Sequence, residues 1–139
     1  MIAVGISEDG QREILGFKIA LRETGESWKE LFEDLKARGL QRVELATSDA
    51  HEGLEAALRS AFPGCIWQRC QAHFRRNVLD KTPAGYRDRM HELLDQTLEA
   101  DSQQQAQQRL EQSAEELEEK APAALNVLEE GLFEATAVL

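Results

Sequence analysis

The spacing of apolar residues in this chain changes character at Thr82-Pro83-Ala84-Gly85. Before that break, short runs at strand spacing alternate with stripes at helical spacing. After it, only helical stripes recur. A strand–helix alternation implies parallel pairing and an α/β core, whereas a purely helical stretch must bury its stripes against other elements.

The opening segment reads as a hairpin. Residues 2–7 form one strand, Glu8-Asp9-Gly10-Gln11 the turn, and residues 12–21 the return, with Ile14, Phe17, Ile19 and Leu21 apolar. Asp-Gly favours the positive φ angles of tight hairpin turns. The alternation slips at Gly16, where a bulge is expected. Ser27 and Glu30 have capping-box spacing. Trp28, Leu31, Phe32 and Leu35 then give a helix face that Gly39 closes. Val43–Thr47 reads as a buried strand, with Asp49 just past its end. A second helix is expected over about 51–61, a strand at Cys65–Gln68, and a third helix over about 70–80. That third helix has Cys70, His73, Phe74, Asn77 and Val78 on one face. The later stripes are Met90, Leu93, Leu94 and Leu98; Leu110, Ala114 and Leu117; and Leu125, Leu128, Leu132 and Phe133, with Pro122 opening the last helix. The hairpin together with the parallel strands predicts one mixed sheet.

Charge divides in the same way. The net charge is −10, yet residues 1–91 carry 14 acids and 14 bases, while residues 92–139 carry 12 acids against Arg109 and Lys120. A chain this acidic argues against a nucleic-acid partner, except at one place. Between Arg69 and Arg89 six bases face two acids, and Arg69, Arg75, Arg76 and Lys81 could hold a phosphate backbone. The alternative is a solvated helix face paired with the acidic tail.

No apolar run is long enough to span a membrane. The N-terminus lacks a basic region followed by a cleavage pattern, so a cytoplasmic location is expected. The two cysteines, Cys65 and Cys70, do not make a disulfide framework. Cys70 and His73 supply only two of the four ligands of a structural zinc. Cys65 and His91 could complete the set, but at no standard spacing. Otherwise Cys70 is a small buried hydrophobe and His73 a buried or half-buried hydrogen-bonding residue. An acid past the C-terminal end of a parallel strand faces the crevice where open α/β sheets bind ligands, and its oxygen suits a hard divalent cation. Asp49 holds that place, unless Ser48 or Asp49 merely caps the next helix. Trp28 and Trp67 read as core.

Several segments resemble the catalytic core of Mutator-type transposases of bacterial insertion sequences. They are Val4-Gly5-Ile6 with Asp9-Gly10, Glu13-Ile14-Leu15-Gly16-Phe17, Ser27-Trp28-Lys29-Glu30-Leu31 and Leu35-Lys36-Ala37-Arg38-Gly39-Leu40. Ser48-Asp49-Ala50-His51-Glu52-Gly53-Leu54, Phe62-Pro63 and Gln68 through Asn77 complete the set. The resemblance implies a ribonuclease-H-like fold and a DDE site in which two aspartates and a glutamate hold Mg²⁺ or Mn²⁺ for phosphodiester cleavage and strand transfer. Asp49 matches the second aspartate. Cys70 and His73 match a supporting Cys-x-x-His signature.

On this resemblance, residues 1–82 are the core without its first strand, and residues 83–139 are the start of a helical insertion. The first aspartate and the glutamate fall outside the chain. A truncated catalytic domain, inactive alone, is therefore expected, with transposon-end DNA as the family's substrate. The strand edges left by the absent first strand would be met by rearrangement or by a partner chain, most simply in a homodimer with exchanged or joined elements. The rival readings are a non-catalytic dimerisation or interaction module and, third, a zinc-dependent DNA-binding module.

Overall fold

A computed structural model describes residues 1–139. The chain divides into two compact units, Met1–Ala46 with Ala50–Cys65, and Thr47–Asp49 with Ile66–Leu139.

The first unit begins with β1 (Ile2–Ile6) and β2 (Arg12–Phe17), which pair antiparallel. Gly10 takes φ 81° in the turn. The Ser7 hydroxyl donates to Asp9 Oδ1 at 2.5 Å, and this hydrogen bond holds the Asp9 carboxyl below its usual range. Ala3 lies opposite Gly16 but Val4 opposite Ile14, so Leu15 is the extra residue of a bulge beside Gly16. The return strand stops at Phe17, not at Leu21. The Lys18 N–H still reaches the Met1 carbonyl, and Ile19 and Leu21 beyond it are exposed.

Helix α1 (Gly25–Ala37) starts earlier than the Ser27–Glu30 pattern suggests. Thr24 is the cap. Its hydroxyl accepts from the Ser27 N–H, and the Ser27 hydroxyl accepts from the Thr24 N–H at 2.9 Å. Two capping residues three apart compete, and the earlier one adds a turn of helix. Trp28, Leu31, Phe32 and Leu35 are buried, and Gly39 follows the helix at φ 109°. Helix α2 (Glu52–Ala61) supplies Leu54, Ala57 and Leu58, and Phe62 meets Phe32 edge-on at 5.7 Å between ring centroids.

The second unit contains the end of β3 (Leu45–Ser48), beside which β4 (Ile66–Arg69) runs parallel. Helices α3 (Gln71–Asp80), α4 (Arg87–Leu98), α5 (Gln103–Ser113), the single turn α6 (Glu115–Glu118) and α7 (Pro122–Ala135) follow. Pro122 stands in the first turn of α7, where no N–H is needed. One apolar core runs from Phe74 and Val78 through Met90, Leu93, Leu94, Leu98, Leu110 and Leu117 to Leu125, Leu128 and Leu132. Buried hydroxyls are satisfied within their own helices: Thr97 donates to the Leu93 carbonyl at 2.9 Å and Thr136 to the Leu132 carbonyl at 2.7 Å.

Three expectations are corrected. The hairpin and the parallel pair are separate two-stranded sheets, not one mixed sheet, because each strand has a single hydrogen-bonded neighbour. Strand β3 is not fully buried. It alternates exposed and half-buried residues, because successive side chains of a strand point to opposite faces. Phe133 is exposed because the α7 stripe continues from Leu128 and Leu132 to Ala135. No helix is long and apolar enough to cross a membrane.

Candidate functional site

Asp49 is exposed and lies immediately past the C-terminal end of β3. Its neighbour Ser48 organises the rim. The Ser48 hydroxyl accepts from Trp67 Nε1 at 2.9 Å and donates to the Asp49 carbonyl at 2.8 Å, and the Ser48 carbonyl accepts from the Cys70 N–H at 2.6 Å. The end of β3, the middle of β4 and the entry to α3 are thereby tied at one residue. Trp67 is buried, which holds its indole donor in place. Ser48 was visible in the sequence only as a possible cap, and its position opposite Trp67 depends on strand pairing.

Neither Ser48 nor Asp49 caps α2. His51 does, accepting from the Leu54 N–H at Nδ1. The Asp49 carboxylate takes part in no hydrogen bond or ion pair within the protein, so it stands open to a ligand.

Cys70 precedes α3 and is half-buried, while His73, one turn on, is exposed. The alternative of Cys70 as a buried hydrophobe and His73 as a buried or half-buried hydrogen-bonding residue is therefore corrected. The backbone bond from Cys70 to Ser48 ties the helix to the strand, and only Phe74 and Val78 of α3 are buried. The two-residue buried stripe at i, i+4 is narrower than the expected face and leaves His73 and Asn77 outside it. Cys65 and Cys70 form no disulfide. Burial pushes the Cys65 thiol above its ordinary pKa. Its alkylation by iodoacetamide, followed by mass spectrometry across pH, is therefore expected to reach half its maximal rate at a higher pH than a cysteine in a short peptide. A midpoint at or below the peptide's would contradict the burial described.

The four basic candidates divide. Arg69 lies with its guanidinium 4.8 Å from the Phe74 ring centroid, its side chain only 15% exposed and Nη1 3.8 Å from Glu134. The absence of a side chain at Gly131 of α7 makes this possible. A Cβ there would fall inside van der Waals contact with the Phe74 ring and 2.5 Å from Arg69 Nη1. Arg75 meets Asp95 at 2.5 Å and Glu99 at 4.0 Å, both toward the end of α4. Arg76 and Lys81 are exposed and in no ion pair. Acids of the helical region thus neutralise Arg69 and Arg75, as the alternative reading of the basic cluster has it. Arg69, Asn77, Asp80, Lys81, Val127 and Glu130 line an open depression of about 430 Å³. Its two bases are matched by two acids, so it is no anion pocket. Sequence reasoning missed Gly131, Glu130 and Glu134. The acid-rich composition after residue 92 was the one available sign of such pairing.

A divalent-metal centre needs several oxygen ligands. No three His, Cys, Asp or Glu side chains converge to hold a metal ion. Asp49 would supply a single carboxylate, and the residues of this chain do not by themselves fit a complete metal centre.

Comparison with known proteins bears on what such a site belongs to. The family described as "Transposase, Mutator family" matches residues 1–138. The transposase for insertion sequence element IS256 in transposon Tn4001 of Staphylococcus aureus is 54% identical over 82 residues, which are 59% of this chain and 21% of that protein. The transposase for insertion sequence element ISRM5 of Rhizobium meliloti is 49% identical over 88 residues, 63% of this chain and 22% of that protein. The transposase for insertion sequence element IS905 of Lactococcus lactis subsp. lactis is 34% identical over 128 residues, 92% of this chain and 33% of that protein. The chain thus spans between about a fifth and a third of these relatives' length.

Proposed function

This chain belongs to the Mutator family of transposases, and we propose from that premise that it is part of a catalytic domain for DNA cleavage and strand transfer in transposition. In this reading residues 1–82 belong to a ribonuclease-H-like core and residues 83–139 to a helical insertion. The substrate is transposon-end DNA, and the metal is Mg²⁺ or Mn²⁺. Asp49 contributes one carboxylate of a DDE set. Cys70 supports it through the backbone bond to Ser48, and His73 stands beside it on the first turn of α3. Arg76 and Lys81 are the cations best placed for phosphate, because Arg69 and Arg75 are already paired.

The observation that carries the proposal is the position of Asp49: an open carboxylate just past a strand whose neighbour runs parallel, where α/β sheets present ligands to their substrates. A lone carboxylate does not assemble a two-metal arrangement, so the chain by itself is proposed to be inactive. The same observation favours a second reading, a non-catalytic interaction module derived from a transposase. Both readings include a homodimer, since β1 and β3 each leave one edge unpaired.

A nicking assay on supercoiled plasmid with Mg²⁺ or Mn²⁺ tests the inactivity directly. The chain and its Asp49→Ala variant are expected to leave the plasmid equally intact. Cleavage by the chain that disappears in the variant would overturn the proposal.

A further inference from the structure

We propose that a second copy of this chain docks on the outer face of the β1–β2 hairpin, face to face across a two-fold axis. The inference rests on the homodimer reading above but places the contact on the face of the hairpin and not on a strand edge. Strand periodicity divides the hairpin in two. On one side Gly16 lies so close to α1 that a Cβ would meet Arg38, Leu35 and Leu31, and the Arg38 guanidinium donates to the Leu15 carbonyl at 2.5 Å. On the other side nothing of that kind is present. Ile2 lies opposite Phe17 and Val4 opposite Ile14, and the four are 66%, 71%, 59% and 72% exposed, with Ile6 next to them equally open.

These five side chains present roughly 500 Å² of contiguous apolar surface, at the upper end of what a monomer shows. Two such faces in contact would remove on the order of 1,000 Å² from water, about the least a specific interface needs. Two-stranded ribbons stack face to face about 10 Å apart by interdigitating alternate residues, a geometry open to two identical faces.

Charge permits a copy of the chain at this place. Residues 1–22 carry Glu8, Asp9 and Glu13 against Arg12, Lys18 and Arg22, so two hairpins meet without net repulsion. Residues 92–139, which supply the whole −10, would repel their own copy. The stretch Ile2–Ile6 also has none of the lysines, prolines or inward charges that keep sheet surfaces apart.

Analytical ultracentrifugation between 1 and 100 μM tests the proposal, on the wild-type chain and on a Val4→Asp/Ile14→Asp variant. Both positions are exposed, so helix content by circular dichroism should not change. A wild-type dimer whose dissociation constant rises at least 100-fold in the variant is the expected result. An Ile2→Ser/Phe17→Ser variant, expected to weaken the dimer at least 10-fold, replaces the first if that one loses its helical signal. A dimer of unchanged affinity in a folded variant would overturn this interface while leaving the homodimer reading intact. A wild-type monomer throughout the range would overturn both.

Discussion

Phe74→Ala is expected to destabilise the helical unit by about 3–5 kcal/mol, the cost of removing a fully buried phenyl ring and leaving its cavity. The ring is 0% exposed. It carries the Arg69 guanidinium on its face and lies against Gly131 of α7. Its loss therefore removes packing between α3 and α7 and takes away the surface on which Arg69 rests. Set against a typical domain stability of about 5–15 kcal/mol, that is enough to leave a marginal domain substantially unfolded at room temperature. Urea unfolding followed by circular dichroism measures it, and a cost below about 1 kcal/mol would show that Phe74 is not the keystone described.

A double-mutant cycle sharpens the same test. Gly131→Ala alone drives a methyl group into the ring and should cost about 1–3 kcal/mol. In the Phe74→Ala background that methyl group enters the vacated space, so the double variant should be less destabilised than the two single costs added together. Simple additivity would mean that the two residues do not touch.

Elements governed by neighbours in sequence are legible in the sequence. Asp9-Gly10 announced a turn because few residue pairs accept its backbone angles. Trp28, Leu31, Phe32 and Leu35 announced α1 because one stripe at helical period can only face a core. Pro122 and Gly39 marked helix ends for equally local reasons. The errors lie where two local signals compete or where a distant element decides. Thr24 outcompeted Ser27 as the cap although both had the right chemistry. Phe133 has the composition of a core residue but stands one position off the α7 stripe.

The site divides along the same line. Asp49 was found by its position after an apolar run, which is local. That Arg69 turns inward over Phe74 depended on Gly131, 62 positions later in the numbering, and that Arg75 is answered by Asp95 depended on how α3 meets α4. A charge cluster in a sequence does not say which of its members remain available to a phosphate. The break in charge near residue 91 did point to the acids that neutralise two of them.

The second large effect concerns Asp49. If its carboxylate is a metal ligand for phosphodiester cleavage, an amide in its place keeps the shape and loses the charge, and with it the grip on a divalent cation. Losses of 10²-fold or more follow when such a ligand is removed, since a metal's contribution to transition-state stabilisation is worth several kcal/mol. The fold should be indifferent, because the Asp49 side chain is exposed and takes part in no hydrogen bond or ion pair. Ser48→Ala should behave differently. It leaves the acid in place but removes the acceptor of the buried Trp67 indole, so it should lower stability by about 1–3 kcal/mol.

The most direct measurement is therefore a transposition assay on the Staphylococcus aureus IS256 transposase with its matching stretch replaced by that of this chain, compared with the same chimera bearing Asp49→Asn. Transposition by the first and at least a 100-fold loss in the second, at equal protein levels, is the expected result. An Asp49→Asn chimera that transposes as well as its parent would contradict the assignment of this residue to the cleavage centre.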